Sequence, residues 1–133
     1  MAGISTKGIY GLAAMYELSK VQNEKPMQIK EIALNGDIPH NYLEQLLSTL
    51  RKAGLVRSVR GAYGGYFLAK KSEEIKVYEI LESLEGTICK SDSKSPSSVL
   101  EMFWSDTHEK VKKIFHLSLS DLDKEYQQLS YDI

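Results

Sequence analysis

Residues 29–69 read IKEIALNGDIPHNYLEQLLSTLRKAGLVRSVRGAYGGYFLA. Ile29, Ile32 and Ala33 repeat at helical spacing over barely two turns before Asn35-Gly36, which is expected to supply a left-handed stop. Pro39 stands where a first-turn proline is favoured, and Leu43, Leu46, Leu47 and Leu50 then mark one buried stripe ended by Gly54. The spacing predicts a short second helix and a third over 39–52, joined by a tight turn: a helix-turn-helix. Leu55–Arg60 is rich in β-formers, Gly61-Ala62-Tyr63-Gly64-Gly65 follows, and Tyr66–Ala69 has strand character again. That is a hairpin with a glycine-rich tip, the wing of a winged helix. A phosphate-cradling loop would run from strand into helix instead, so the glycines do not read as a nucleotide site.

On the N-terminal side, Ser5 or Thr6 can cap a first helix that buries Ile9, Leu12, Ala13 and Tyr16 and runs to about Val21. On the C-terminal side, Val77, Ile80, Leu81 and Leu84 define a fourth helix closed by Gly86, and a polar loop extends to Ser98. Ser98-x-x-Glu101 is a capping box that opens a fifth helix with Leu100, Phe103, Trp104, Thr107, Val111, Ile114 and Phe115 in one stripe. At about 19 residues, or roughly 28 Å, this helix has more apolar surface than a small winged helix can cover, and an identical chain is the cheapest partner. Ser118-x-x-Asp121 starts a last helix using Leu119, Leu122, Tyr126 and Leu129. The fold class is therefore mainly α with a small β-hairpin. A winged helix-turn-helix domain over 1–86 precedes a loop and C-terminal dimerisation helices over 87–133.

Composition sets the outer bounds. A chain of 133 residues, 42% hydrophobic and 26% charged, is an ordinary globular domain with room for one modest core. The longest apolar run, Ile9–Tyr16, is far short of a membrane span, and the single cysteine, Cys89, removes any internal disulfide or Cys-rich zinc framework. A cytoplasmic protein without a membrane role is expected. The net charge of -1 conceals an asymmetry. Residues 1–71 carry ten Lys/Arg against five Asp/Glu, and residues 72–133 carry seven against thirteen. The basic half suits a polyanion, here double-stranded DNA.

The candidate contacts follow from the helix-turn-helix. His40, Asn41, Glu44, Gln45, Ser48, Thr49, Arg51 and Lys52 lie off the leucine stripe, and they are the amides, hydroxyls and charges that touch base edges and phosphates. Gln45, Glu44, Asn41 and Tyr42 are expected to choose bases. Lys7, Arg51, Lys52 and Arg57 are expected to meet phosphates, as can Lys70 and Lys71. Arg60, beside Tyr63 on the wing tip, suits a narrow minor groove. Two-fold symmetry makes the operator a near palindrome. Phe103, Trp104, Val111, Ile114 and Phe115 are the dimerisation candidates, some of them shared with the intrachain core. Cys89, beside Lys90, is a candidate redox sensor. No phosphate loop, nucleophile elbow or zinc helix is present, and His40, His108 and His116 read as surface histidines, so neither an enzyme nor a metal site is expected. Because any exposed helix face is polar, a second reading remains: a winged helix that bridges proteins without reading DNA.

Ser5-Thr6-Lys7-Gly8 with Tyr10-Gly11-Leu12, Ile32-Ala33, Tyr42–Leu46, Leu50–Val56, and Ser58-Val59-Arg60-Gly61 with Gly64-Gly65-Tyr66 resemble the Rrf-two (Rrf2) family of winged-helix transcription regulators over nearly the whole chain. The resemblance implies a dimer paired through the long C-terminal helix, Tyr42, Glu44 and Gln45 on the recognition helix, and Arg60 in the minor groove. Ile9 departs from the family, which usually has arginine there. Cluster-binding members carry three cysteines before the tryptophan. Here Cys89 stands alone, Ser98 occupies about the place of the last cysteine, and Glu101 stands near that of a histidine ligand. A cluster on three thiolates of one chain is excluded, and no cofactor is expected. The chain is most similar to the cluster-free branch of cysteine-metabolism repressors, which implies a repressor answering to a small-molecule or protein effector or to thiol oxidation.

Overall fold

The computed structural model describes residues 3–21, 25–86 and 96–131. Its organising element is α3 (His40–Lys52), whose Leu43, Leu46, Leu47 and Leu50 all point inward and are buried. Beside it α2 (Ile29–Gly36) buries Ile32. The turn between them differs from the sequence expectation. Gly36 is the last helical residue, and the left-handed position falls on Asp37, with φ 53°. A short polar side chain tolerates that conformation. Ile38 N–H then donates to the Ala33 carbonyl at 2.9 Å and Ile38 enters the core. Pro39 sits at the cap position, one residue before the helical turn it was expected to begin, where its missing N–H leaves no donor unmet.

The wing is β1 (Val56–Val59) and β2 (Gly65–Leu68), antiparallel, with Val56 opposite Leu68 and Val59 opposite Gly65. Buried Leu55 and Val56 anchor its base. A third rung has no signature in the sequence: Met27 N–H donates to the Tyr66 carbonyl and Tyr66 N–H to the Met27 carbonyl, both at 2.8 Å. Gly65 makes this approach possible, since a Cβ there would lie 2.5 Å from the Met27 carbonyl oxygen.

Helix α1 (Thr6–Ser19) buries a face other than the expected one. Gly8, Gly11, Ala14, Met15 and Leu18 are buried, whereas Ile9 is 59% exposed and Leu12, Ala13 and Tyr16 are half-buried. The reason is close packing on α4 (Val77–Glu85): a Cβ at Gly11 would stand 2.1 Å from Leu84 Cδ1. A face built from glycines is invisible to a count of apolar side chains.

Helix α5 (Ser98–Ile114) is shorter than expected and begins differently. Its cap is Ser97, whose Oγ accepts from Leu100 N–H at 3.5 Å, because the first intrahelical bond runs from Glu101 N–H to the Ser97 carbonyl. Helix α6 (Leu119–Tyr131) opens on the expected capping box. Ser118 N–H donates to Asp121 Oδ2 at 3.1 Å, and Asp121 N–H donates to Ser118 Oγ at 3.0 Å. Leu119 is fully buried in the central core and Leu122 is half-buried, but Tyr126 and Leu129 are exposed rather than packed. Val77 N–H to Leu117 O and Tyr78 N–H to Phe115 O, each 2.8 Å, fasten the α5–α6 junction onto the start of α4. Among the described residues, no helix is long and apolar enough to cross a membrane.

Candidate nucleic-acid interface

The outward face of α3 is polar for its whole length. His40, Asn41, Glu44, Gln45, Thr49, Arg51 and Lys52 are exposed, and Ser48 is half-buried. His40 Nδ1 lies 3.7 Å from Glu44 Oε1 one turn on, and Thr49 Oγ1 donates to the Gln45 carbonyl at 3.2 Å. Gln45 is exposed, its side-chain amide makes no hydrogen bond to another described residue, and the opposite face of the helix is anchored by four buried leucines. Tyr42 is placed differently. It is half-buried at the edge of α3, its ring edge to face with Tyr10 of α1 at a centroid distance of 5.6 Å.

Cations flank this face. Arg51 and Lys52 close α3, Arg57 and Arg60 stand on the wing, and Lys7 lies in the first turn of α1. All are exposed, and none is ion-paired with another described residue. Lys70, by contrast, is turned to Glu79 at 3.6 Å, so its expected role at phosphate is already contested within the chain. Tyr63 is 94% exposed at the tip. The tip is tied back to the helix-turn-helix where Gln28 Nε2 donates to the Ala62 carbonyl at 3.2 Å. Gln28, directly before α2, was not singled out from sequence, where 34 residues separate the partners.

Glu85 also escaped the sequence reading. Its Oε1 accepts from Ser5 N–H at 3.1 Å, from Gly8 N–H at 2.9 Å and from the Ser5 hydroxyl, joining the end of α4 to the start of α1.

The Rrf2 family model, described as an iron-dependent transcriptional regulator, matches residues 4–125. The chain belongs to the Rrf2 family. It is 44% identical to the HTH-type transcriptional regulator CymR of Bacillus subtilis over 122 residues, covering 92% of this chain and 80% of that protein. It is 36% identical to the regulator IscR of Aliivibrio salmonicida, covering 96% and 82% respectively. The solved structure of CymR, the global cysteine regulator of B. subtilis, superposes with a TM-score of 0.81 at 40% identity, covering 93% of this chain and 98% of that one. The winged helix read from the leucine stripe and the glycine hairpin is thus the fold of this Rrf2 protein.

In this Rrf2 protein the C-terminal candidates share one stripe of α5 but divide by burial. Phe103, Trp104 and Ile114 are exposed, together with Val99, Leu100 and Met102, and the Phe103 and Trp104 rings touch at a centroid distance of 5.0 Å. Val111 and Phe115 are half-buried against Val77 and Leu81 of α4. Between α4 and the end of α5 lies an open cleft of about 500 Å³ lined by Lys76, Tyr78, Glu79, Glu82, Lys112 and His116. Burial and a hydrogen bond to Glu82 push the Tyr78 phenol up to about 12, so it is a neutral donor at this cleft. Cys89 lies outside the described residues. Among the described residues, no three His, Cys, Asp or Glu side chains converge as a metal site. With one cysteine in the whole chain, the donor set does not fit a cluster held by three thiolates of one protomer.

Proposed function

We propose that this Rrf2 protein is a sequence-specific transcriptional repressor rather than an enzyme, and that it binds a near-palindromic operator in double-stranded DNA as a homodimer in the cytoplasm. The observation that carries this is the α3 face: exposed amide, hydroxyl and charged side chains opposite four buried leucines, with exposed cations at the end of α3, on the wing and at the start of α1 that are not ion-paired within the described residues. Asn41, Glu44 and Gln45 enter the major groove, where amides pair with adenine and a carboxylate accepts from cytosine N4. His40, Ser48 and Tyr42 border that contact. Lys7, Arg51, Lys52 and Arg57 neutralise phosphates and set affinity without sequence preference. Arg60 and Tyr63 extend on the wing, the guanidinium entering a narrow A·T minor groove.

Division of labour follows the chain, with residues 1–86 reading DNA and residues 87–133 pairing protomers. The exposed Phe103, Trp104 and Ile114 form the centre of the seam, and Val111 and Phe115 tie the helix to its own winged domain. The likeness to CymR, a global cysteine regulator, supports a role in transcription, and the single cysteine supports a regulator working without a resident cluster. Its signal reaches it through an effector, small molecule or protein, for which the cleft beside Tyr78 is one opening among the described residues, or through oxidation of Cys89. Selection of bound duplexes from a random pool tests the assignment. Two half-sites about one helical turn apart should emerge, because recognition helices related by a two-fold axis enter successive major grooves. A pool that stays random, with binding that ignores salt, would instead favour a protein-bridging module.

A further inference from the structure

Helix α1 does not cap itself. Ser5 occupies its cap position, yet the Ser5 side chain bonds none of the helix's own amides. The first amides of any helix lack an internal acceptor, and here the acceptor comes from the last residue of α4. A single Glu85 oxygen takes the Ser5 amide, the Ser5 hydroxyl and the Gly8 amide, from 77 to 80 residues away in the chain. A carboxylate there also faces the positive end of the helix dipole. Lys7 lies inside this clasp. It stands one turn before Tyr10, hence on the same face of α1, and Tyr10 touches Tyr42 of α3. Lys7 therefore lies between the Tyr10 edge of α1, which touches α3, and the Gly11 edge, which packs on α4, and it is exposed and without an ion pair among the described residues. A lysine on a flexible stem holds a phosphate well only where its backbone is fixed.

We infer that Glu85 is a positioning residue for DNA binding: its clasp on Ser5 and Gly8 fixes the first turn of α1 so that Lys7 meets a backbone phosphate beside α3. The inference rests on the DNA-binding function proposed above. It opposes the simple electrostatic expectation, in which removing a carboxylate near the DNA surface tightens binding.

The test is a double-mutant cycle on the full chain, reading affinity for the selected operator and its salt dependence. Glu85→Ala and Lys7→Ala should each weaken binding about tenfold and lower the salt slope by about one, the signature of one lost phosphate contact. Both remove the same contact, so the double variant should bind no more weakly than either single one. Glu85→Gln, which keeps a carbonyl acceptor, should stay within about threefold of wild type. A purely structural Glu85 would leave the salt slope unchanged. Unchanged or tighter binding by Glu85→Ala, an unchanged slope, or losses multiplying to about a hundredfold in the double variant would overturn the clasp. Should Glu85→Ala not fold, Ser5→Ala serves in its place: its penalty must disappear in a Lys7→Ala background, and persistence there overturns the clasp equally. Wild-type protein that binds operator and scrambled duplexes alike defeats the DNA-reading function itself, and the inference with it. Wild-type protein that reads the operator while the losses multiply defeats the clasp alone.

Discussion

Tyr10 of α1 and Tyr42 of α3 meet edge to face, with ring centroids 5.6 Å apart and planes at 76°. The contact fixes one edge of α3 against α1 and gives Tyr42 a packing role besides any contact with DNA. The two roles separate on substitution. Tyr42→Phe keeps the ring and should leave Tm unchanged, while losing DNA affinity only if the hydroxyl meets DNA. Tyr42→Ala also removes the aromatic pair, worth about 0.5 to 1.5 kcal/mol beyond buried area, and should lower the denaturant midpoint as well. Chemical denaturation beside operator titration reads both.

Gly11 lies where α1 and α4 come closest, and Leu84, which fills that space, is itself buried. Gly11→Ala should cost about 1 to 3 kcal/mol by overpacking, although alanine is the better helix former. The penalty should fall when Leu84→Ala opens the space, a coupling that urea denaturation of the two single variants and the double one measures. Equal penalties in both backgrounds would mean that the helices are not in close contact.

What could be read from the sequence tracks how local each determinant is. The α3 leucines lie within two turns, and the Ser118–Asp121 box spans four residues, so both were visible as patterns. The winged helix followed from them. The buried face of α1 is not legible as an apolar stripe, because Gly8 and Gly11 register as gaps in it although a Cβ at either would crowd its neighbours. The left-handed turn went to Asp37 instead of Gly36, since both residue types tolerate that conformation and packing of Ile38 decides between them. The candidate base-reading residues were legible as the polar complement of the leucines. The supports of that face, Gln28 under the wing tip and Glu85 at the start of α1, join segments 34 and 77 or more residues apart, and no local pattern encodes them.

The Asp121 carboxyl is held below its ordinary value of 3.8, first by the hydrogen bond donated from the Ser118 backbone and then by the Ser118 hydroxyl. A carboxylate whose folded-state value is depressed adds stability that is fully present above the ordinary value and is lost as pH falls through the lower one. Asp121→Asn should therefore lower Tm near neutral pH. The gap to wild type should close progressively below about pH 3.8. Thermal melts of both proteins across that range test it, and a gap that is constant with pH would assign Asp121 no electrostatic part in starting α6.

The exposed apolar surface of α5 bears on assembly. Burying Phe103, Trp104 and Ile114 in a seam contributes about 1.5 to 3 kcal/mol per side chain, enough to outweigh repulsion between two acidic C-terminal halves. Sedimentation equilibrium at micromolar concentration should give twice the 15.0 kDa chain mass. Phe103→Asp with Trp104→Asp should give the monomer with its far-ultraviolet spectrum preserved, because neither residue is buried in the protomer. A wild-type monomer would remove the two-fold axis on which the proposed near-palindromic operator depends.

The central claim is that α3 reads bases while the surrounding cations hold phosphates. It is tested most directly by comparing Gln45→Ala and Lys52→Ala with wild type on the selected operator and a scrambled duplex at several salt concentrations. Gln45→Ala should narrow the discrimination between the duplexes by about 1 to 3 kcal/mol, localised to one base pair, with the salt slope retained. Lys52→Ala should weaken binding to both duplexes alike and reduce the slope by about one. Equal losses on both duplexes for both variants would contradict the claim, since the protein would then bind DNA without reading it through α3.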